Sequence, residues 1–406
     1  MAPKLMLEGI RVLDFTHVLA GPTCTRLMVE LGAEVIKVEP LAGDMVRTMP
    51  ALKDGHSGYY VQQNRGKKSL CMDLRSPKAQ EIIHGLVPQM DVVVENFTPG
   101  VMARLNLDWP RLSRINPGLI MCSISAFGQS GPLSGLPGFD YIAQAYAGVI
   151  DMIGEAEGSP YFAGLGLGDV STGAHAFGAI SAALFHRLRG GPGQYLDIAL
   201  LDCLFHCHEI NVQGYDGSGG AFVPKRTGAH HGAVAPIGLF KGKHKWLVII
   251  ALGKQWESLC AVIGREDMLG DPRFADNAAR TANRHLIVEA IERWLQSTPS
   301  DEEAVRILEA AHVPVAPVLS VPEAMAHPHL KGRQTVRTVE DRVFGELKVP
   351  GMPLKFSAFP QTLDLQADFL GESNAEVLGR YLGMTDADVA SLTKEGVLGA
   401  GAAGGS

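Results

Sequence analysis

The chain has 406 residues, 46% of them hydrophobic and 19% charged, and a formal net charge of −7. That length allows two domains and a large buried core. The acidic balance excludes the basic footprint of a nucleic-acid-binding surface, so an anionic ligand needs arginines and lysines gathered locally.

The first segments alternate between strand and helix patterns. Residues 11–16 (RVLDFT) form a short apolar strand, and Pro22 opens a helix that ends at Gly32. Residues 33–39 (AEVIKVE) are a second strand, completing a β-α-β unit that favours a parallel crossover. The unit lacks G-x-G-x-x-G, which argues against a hydride-transferring dehydrogenase. Further strands are predicted over 68–74 (KSLCMDL), 92–97 (VVVENF), 119–127 (LIMCSISAF) and 194–200 (QYLDIAL). Helices are predicted between them, and at 139–150 and 201–215. The alternation predicts an α/β fold with an open sheet, whose ligands bind beyond the carboxyl ends of the strands. The turns at 17–22, 96–100 and 125–131 lie there, and 128–138 (GQSGPLSGLPG) is a glycine- and proline-rich loop of the functional kind.

Composition changes after Gly214. We read 1–224 as the N-terminal part of a large domain, 225–320 as a smaller domain, 321–398 as a return segment and 399–406 as a flexible tail. Residues 246–252 (WLVIIAL), the longest apolar run, suit a buried strand. No run reaches membrane-spanning length, and MAPKLMLEGIRVLDF has no signal-peptide apolar region. Six scattered cysteines without a C-x-x-C pair predict a reduced, cytoplasmic protein. Cys203 and Cys207 share a helix face, but His206 and His208 cannot both join it, so no metal site is expected.

One stretch stands out. Residues 164–175 (GLGLGDVSTGAH) place Asp169 between alternating glycines and a long apolar helix. Glycine lets a ligand approach the main chain closely, and a helix N-terminus favours a carboxylate. Two roles are open to Asp169 on these residues: a helix cap, or a covalent nucleophile. His175, further along the helix, is expected to pack rather than react. His230 and His231 are either ordinary loop residues or contacts to an acid or phosphate.

Several stretches together resemble the class III CoA-transferases, the family of formyl-CoA:oxalate and carnitine CoA-transferases. They are LEGIRVLDFTHVLAGPTCTRLMVELGAEVIKVE, NRGKKSLCMDLRS, VVVENFTPGVMARL, GFDYIAQA, GLGLGDVSTG, GPGQYLDIAL and LGESNAEVLG, in the family's order over nearly the whole chain. The resemblance implies a Rossmann-like large domain built from both ends of the chain, a smaller middle domain and an interlocked homodimer. It implies transfer of CoA from an acyl-CoA, such as succinyl-CoA or another small or dicarboxylic donor, to a carboxylic acid. Coenzyme A is then a substrate, and no cofactor is needed. Asp169 occupies the nucleophile's position, implying aspartyl anhydride and aspartyl-CoA thioester intermediates. The CoA contacts it implies are His17, Val18, Leu19, Ala20, Met72, Arg75, Asn96, Phe97, Thr98, Arg104, Pro137, Gly138, Phe139 and Asp140.

Two departures separate this chain from oxalate-using relatives: Leu19 stands where they carry a glutamine, and their tetraglycine loop is missing. Residues 226–238 (RTGAHHGAVAPIG) are the candidate acceptor pocket or lid. One alternative is an α-methylacyl-CoA racemase, which needs a His–Asp pair with the histidine in G-H-D. Here that motif reads Gly138-Phe139-Asp140, and phenylalanine takes no proton, leaving His17 as the replacement base. The other alternative is a non-catalytic CoA-binding subunit.

Overall fold

The computed structural model describes residues 5–50, 52–359 and 363–399. The tail expected at 399–406 lies, apart from Gly399, outside the described residues. Contacts divide the chain into two compact units. The first comprises Met1–Val149, Gly164–Glu209 and Pro328–Ser406, and the second Ile150–Ala163 and Ile210–His327.

The first unit is built on six parallel strands. They are β1 (Arg11–Asp14), β2 (Glu34–Glu39), β5 (Lys68–Cys71), β6 (Val92–Glu95), β7 (Ile120–Ser125) and β8 (Gln194–Ala199); β3 (Leu52–Lys53) and β4 (His56–Ser57) form a small separate hairpin. The order across the sheet is β5-β2-β1-β6-β7-β8. Each predicted strand of this unit is present in it. The order reverses between β1 and β6, which opens a crevice beyond their carboxyl ends.

Both faces of the sheet are covered, which explains why its strands are near-continuous apolar runs. Val12, Val35, Val92, Val94 and Ile120 point to one face, against α1 (Ala20–Glu30) and α7 (Leu167–Leu188). Leu13, Ile36, Val93 and Met121 point to the other, against α3 (Pro77–Leu86). The return segment joins that second face through Val377, Leu378 and Tyr381 of α16 (Asn374–Leu382). Glycine permits the closest helix contact. A Cβ at Gly173 of α7 would lie 2.5 Å from the Ala20 carbonyl oxygen and 2.7 Å from Thr23 Cβ of α1.

The remaining helices of this unit are short. They are α2 (Gly58–Asn64), α4 (Val101–Arg104), α5 (Trp109–Ile115), α6 (Asp140–Tyr146), α8 (Leu200–Phe205), α15 (Pro328–Gly332) and α17 (Asp386–Lys394). The helix predicted over 201–215 is broken after Phe205; the chain passes into the second unit at Ile210, and α9 (Asn211–Gly217) belongs there.

In the second unit, β9 (Ile237–Lys241), β10 (Trp246–Ile250) and β11 (Val315–Pro317) form an antiparallel sheet ordered β11-β10-β9. Its core packs Phe240, Leu247 and Ile249 against α10 (Lys254–Val262), α12 (Arg284–Ser297) and α13 (Asp301–Ala310). This unit begins earlier than the 225–320 read from composition. Residues 150–163 belong to it because Arg226 pairs with Asp151 and the Gly228 N–H donates to the Gly154 carbonyl at 3.1 Å.

Candidate active site

The site is assembled on turns that leave the sheet at its switch point. After β1 the chain turns at His17–Leu19, and after β6 at Asn96–Pro99. The Asn96 side chain joins them reciprocally: its Oδ1 accepts the His17 N–H at 2.8 Å and its Nδ2 donates to the His17 carbonyl at 2.9 Å. The His17 ring lies 5.4 Å from that of Phe97.

Buried charges hold the first turn from below. Lys37 Nζ donates to the Thr16 carbonyl at 2.6 Å and lies 3.0 Å from Asp44 Oδ2, with both side chains fully buried. The Asp44 carboxylate in turn receives the Val18 N–H, 3.4 Å from each oxygen. Val18 needs this support because its φ is +67°, a left-handed conformation costly for a β-branched residue. Asp14 accepts from Thr16 and Thr25 and pairs with Lys67 at 3.0 Å. Burial alone would raise the Asp14 pKa; Lys67 and Lys37 outweigh it and hold the group far below the usual carboxylate range.

A cavity of about 270 Å³ opens above these turns. Its walls bring together His17, Val18, Leu19, Ala20, Asn96, Phe97, Thr98, Pro137, Gly138, Phe139 and Asp169. These segments are distant in sequence, and each residue is among those the family resemblance implies. A second cavity, about 480 Å³, shares His17 and Phe97 with the first and adds Met72 and Arg75. Its other walls are mainly apolar, including Val38, Leu41 and Leu105.

Asp169 is the third residue of α7, whose N-cap, Gly166, offers no side-chain cap. Of the two roles open to it, capping belongs to another residue. The buried Asp140 carboxylate, at the start of α6, accepts the Gly168 N–H at 3.0 Å and the Asp169 N–H at 3.4 Å. Gln144 Nε2 steadies it at 2.7 Å. Gly168 must be glycine for this: a Cβ there would stand 2.6 Å from Asp140 Oδ1. Among the described residues no donor is bonded to the Asp169 carboxylate. Burial first, and the neighbouring charge of Asp140 second, push its pKa up to about 7.

Two implied CoA contacts sit elsewhere. Asp140 lies behind the cavity wall at the foot of α7, because its oxygens are taken up by N–H groups. Arg104, at the end of α4, is exposed and lines neither cavity. Arg75 is exposed and paired with Asp73 at 2.8 Å. Sequence reasoning missed Lys37, Asp44 and Tyr59; the Tyr59 pKa is raised by burial and then by the Asp169 charge, which places the phenol in that carboxylate's field.

A sheet of this order, with a cavity at its switch point and an unpaired carboxylate on the cavity wall, is the framework of an α/β enzyme that handles a nucleotide-bearing ligand. The sequence model of CoA-transferase family III matches residues 7–374, and the chain belongs to that family. It is 32% identical over 400 residues to the human succinyl-CoA:glutarate CoA-transferase, covering 97% of this chain and 90% of that one. It is 36% identical over 383 residues to the succinyl-CoA:mesaconate CoA-transferase of Haloarcula hispanica, covering 92% and 95%. It is 33% identical over 416 residues to the formyl-CoA:oxalate CoA-transferase of Bradyrhizobium diazoefficiens, covering 97% of each. Among solved structures, a CAIB/BAIF family protein from Brucella suis superposes with a TM-score of 0.83 at 31% identity, covering 93% of this chain and all (100%) of that one.

Proposed function

We propose that this enzyme transfers CoA from an acyl-CoA to a carboxylic acid through covalent intermediates on Asp169. The observation that carries the reading is the Asp169 carboxylate itself. It stands on the cavity wall, free of donors among the described residues, while Asp140 does the work of capping. A carboxyl titrating near neutrality is a stronger nucleophile than an ordinary aspartate and is still substantially ionised at pH 7.

Asp169 attacks the thioester carbonyl, forming an aspartyl acyl anhydride as the C–S bond breaks and CoA thiolate leaves. The thiolate attacks the aspartyl carbonyl, releasing the donor acid and leaving an aspartyl-CoA thioester. The acceptor carboxylate attacks this thioester, giving a new anhydride and CoA thiolate. Thiolate attack on the acceptor's carbonyl then yields the new acyl-CoA and frees Asp169. No water is consumed and no electron changes hands. The Gly168 and Asp169 N–H groups are occupied by Asp140, so oxyanion stabilisation is assigned to the start of α1, where Leu19 and Ala20 line the cavity and no side chain caps the helix.

CoA would place its pantetheine between the His17–Ala20 and Asn96–Thr98 turns. Its nucleotide would lie in the second cavity, where the apolar walls suit a base and Arg75 a phosphate. CoA serves as substrate, and the chemistry calls for no further cofactor. The succinyl-CoA named in two relatives supports a dicarboxylic donor. The large domain is read as Rossmann-like and assembled from both ends of the chain. Exposed apolar side chains support a homodimer: Phe139 (78% exposed) stands before α6, Leu165 before α7, and Val170, Phe185 and Leu188 (80%) on α7. Six free cysteines support a cytoplasmic location.

A second reading, racemisation at the α-carbon, is favoured by one observation: His17 shares the cavity with Asp169. Burial, and after it Lys37, lowers the His17 pKa, so the ring is neutral and able to accept a proton. Incubation with a 2-methylacyl-CoA in deuterated water, with and without a panel of carboxylic acids, separates the two. Transfer gives a new acyl-CoA only when an acid is added. Deuterium at the α-carbon of the unchanged acyl-CoA, independent of added acid, would establish racemisation instead.

A further inference from the structure

The stretch LGESNAEVLG, residues 370–379, belongs to the first unit and lines neither of the two cavities described above. Its place is the edge of the parallel sheet. β5 is the outermost strand, so one side of its backbone has no strand to pair with. The return segment supplies the partners instead. The Ser69 N–H donates to Asp368 Oδ2 at 2.9 Å, and the Ser69 carbonyl accepts the Ser373 N–H at 3.1 Å. Two residues on, the Cys71 N–H donates to Asn374 Oδ1 at 2.8 Å, and the Cys71 carbonyl accepts the Gly399 N–H at 3.0 Å.

Asn374 closes this arrangement. Its Nδ2 donates to the Gly399 carbonyl at 2.9 Å, so one buried amide, 5% exposed, holds both the strand and the segment returning beside it. That segment runs antiparallel to the end of β5: Met72 bridges Leu398, and the Asp73 N–H donates to the Val397 carbonyl at 2.9 Å. Gly371 makes room for the amide. Its φ is +69°, and a Cβ there would stand 3.1 Å from both Asn374 Nδ2 and Cys71 Cβ.

The chain held by this clasp continues straight into the larger cavity. Met72, the residue after Cys71, is on its wall, followed by Asp73, Leu74 and Arg75. Arg75 pairs with Asp73 at 2.8 Å, so the guanidinium is carried by the same short stretch of backbone. Gly399 also lies close to Leu41 of that wall: a Cβ on it would stand 2.3 Å from Cys71 Sγ and 3.5 Å from Leu41 Cδ2. Without the Asn374 amide, the buried Cys71 N–H loses its acceptor and Gly399 loses its donor. Such groups are costly to leave unpaired, so the backbone at 71–73 would open toward water and carry the wall with it.

We propose that Asn374 is a positioning residue for CoA, clasping the edge of β5 and residues 397–399 so that residues 72–75 form a fixed wall for the nucleotide. It touches no ligand itself and acts through the backbone it holds. The inference rests on the proposed binding of CoA in that cavity, but not on the covalent chemistry at Asp169.

The test is calorimetric titration of CoA into the full chain, Asn374→Ala, Arg75→Ala, the double variant and Ser373→Ala. Each of the first two substitutions should weaken CoA roughly fivefold or more. The double variant should bind no more weakly than the worse of the two single variants, because both changes act on one wall. Ser373→Ala removes the hydroxyl bond to Asp368 in the same stretch, away from the cavity, and should leave CoA affinity unchanged. Should Asn374→Ala not fold, Asn374→Asp, which keeps the acceptor for Cys71 and loses the donor to Gly399, takes its place in the cycle. A CoA affinity indifferent to either single change, losses that multiply in the double variant, or an equal loss in Ser373→Ala would reduce Asn374 to a brace for the sheet edge and overturn the proposal. Because binding is read without turnover, an Asn374-dependent CoA affinity in a protein that forms no Asp169 adduct would sink the transferase mechanism and leave the positioning role standing. A native chain that binds no CoA would overturn both.

Discussion

Replacing Asp169 by its isosteric amide should stabilise the protein, and by an amount that depends on pH. In the folded chain burial and then Asp140 push the Asp169 carboxyl from 3.8 up to about 7. An acid that holds its proton more tightly when folded makes folding least costly below pH 3.8. The penalty grows as pH rises from there and is complete above about 7, since the unfolded chain has by then released a proton that the folded chain must also give up. The displacement corresponds to roughly 4 kcal/mol at about 1.36 kcal/mol per pH unit. Solvent screening of a half-buried group reduces it to roughly 2 kcal/mol. Asp169→Asn removes the ionisation while keeping the shape. Urea denaturation of both proteins should therefore show the variant more stable by roughly 2 kcal/mol at pH 8, with less than half of that gain at pH 5. A variant less stable than the native protein at pH 8, or an equal gain at both values, would refute the reasoning. The site would then hold no electrostatic strain.

The other predictions concern the supports of that carboxylate. Asp140→Asn keeps an acceptor for the Gly168 N–H but removes a like charge. The rise of kcat/KM with pH is expected to centre near 7 in the native enzyme and to move about one pH unit lower in the variant; an unmoved midpoint would separate Asp140 from Asp169. Gly168→Ala drives a Cβ to 2.6 Å from Asp140 Oδ1 and 3.0 Å from Leu204 Cδ1. It should cost roughly 1–3 kcal/mol in a denaturation measurement and slow CoA transfer. Lys37→Met leaves Asp44 buried without its 3.0 Å partner and should cost roughly 3–5 kcal/mol. The double variant Lys37→Met with Asp44→Asn should recover part of that loss, which a denaturation cycle over the four proteins would show.

Most of the sheet was legible because its signals are local. The strands at 11–16, 68–74, 92–97, 119–127 and 194–200 are largely apolar runs bounded by turn residues, and burial on both faces favours such runs; 33–39 alternates apolar and charged residues. The Asp169 cavity was legible only through the ordered set of family-like stretches. Nothing local in HVLA or ENFT announces that Asn96 will clasp His17 across 79 residues. What stayed hidden depends on long-range polar pairing. Asp140 looked like one more ligand contact, because a carboxylate that caps a helix 28 residues away leaves no periodic trace. Lys37 sits in an alternating strand whose lysine reads as solvent-facing, yet it is fully buried against Asp44 and Thr16. Met72 and Arg75, read as nucleotide contacts, line one cavity together, whereas Arg104 lies at an exposed helix end.

The central claim is the covalent bond to Asp169, and intact mass reads it directly. The native chain and Asp169→Ala are each mixed briefly with succinyl-CoA and other acyl-CoAs, quenched in acid and weighed, and the modified peptide is sequenced. The native chain should gain one CoA less one water, carried by the Asp169 peptide, absent from the variant and discharged by an acceptor acid. CoA transfer with no adduct on the native chain, or an adduct that persists in Asp169→Ala, would contradict it.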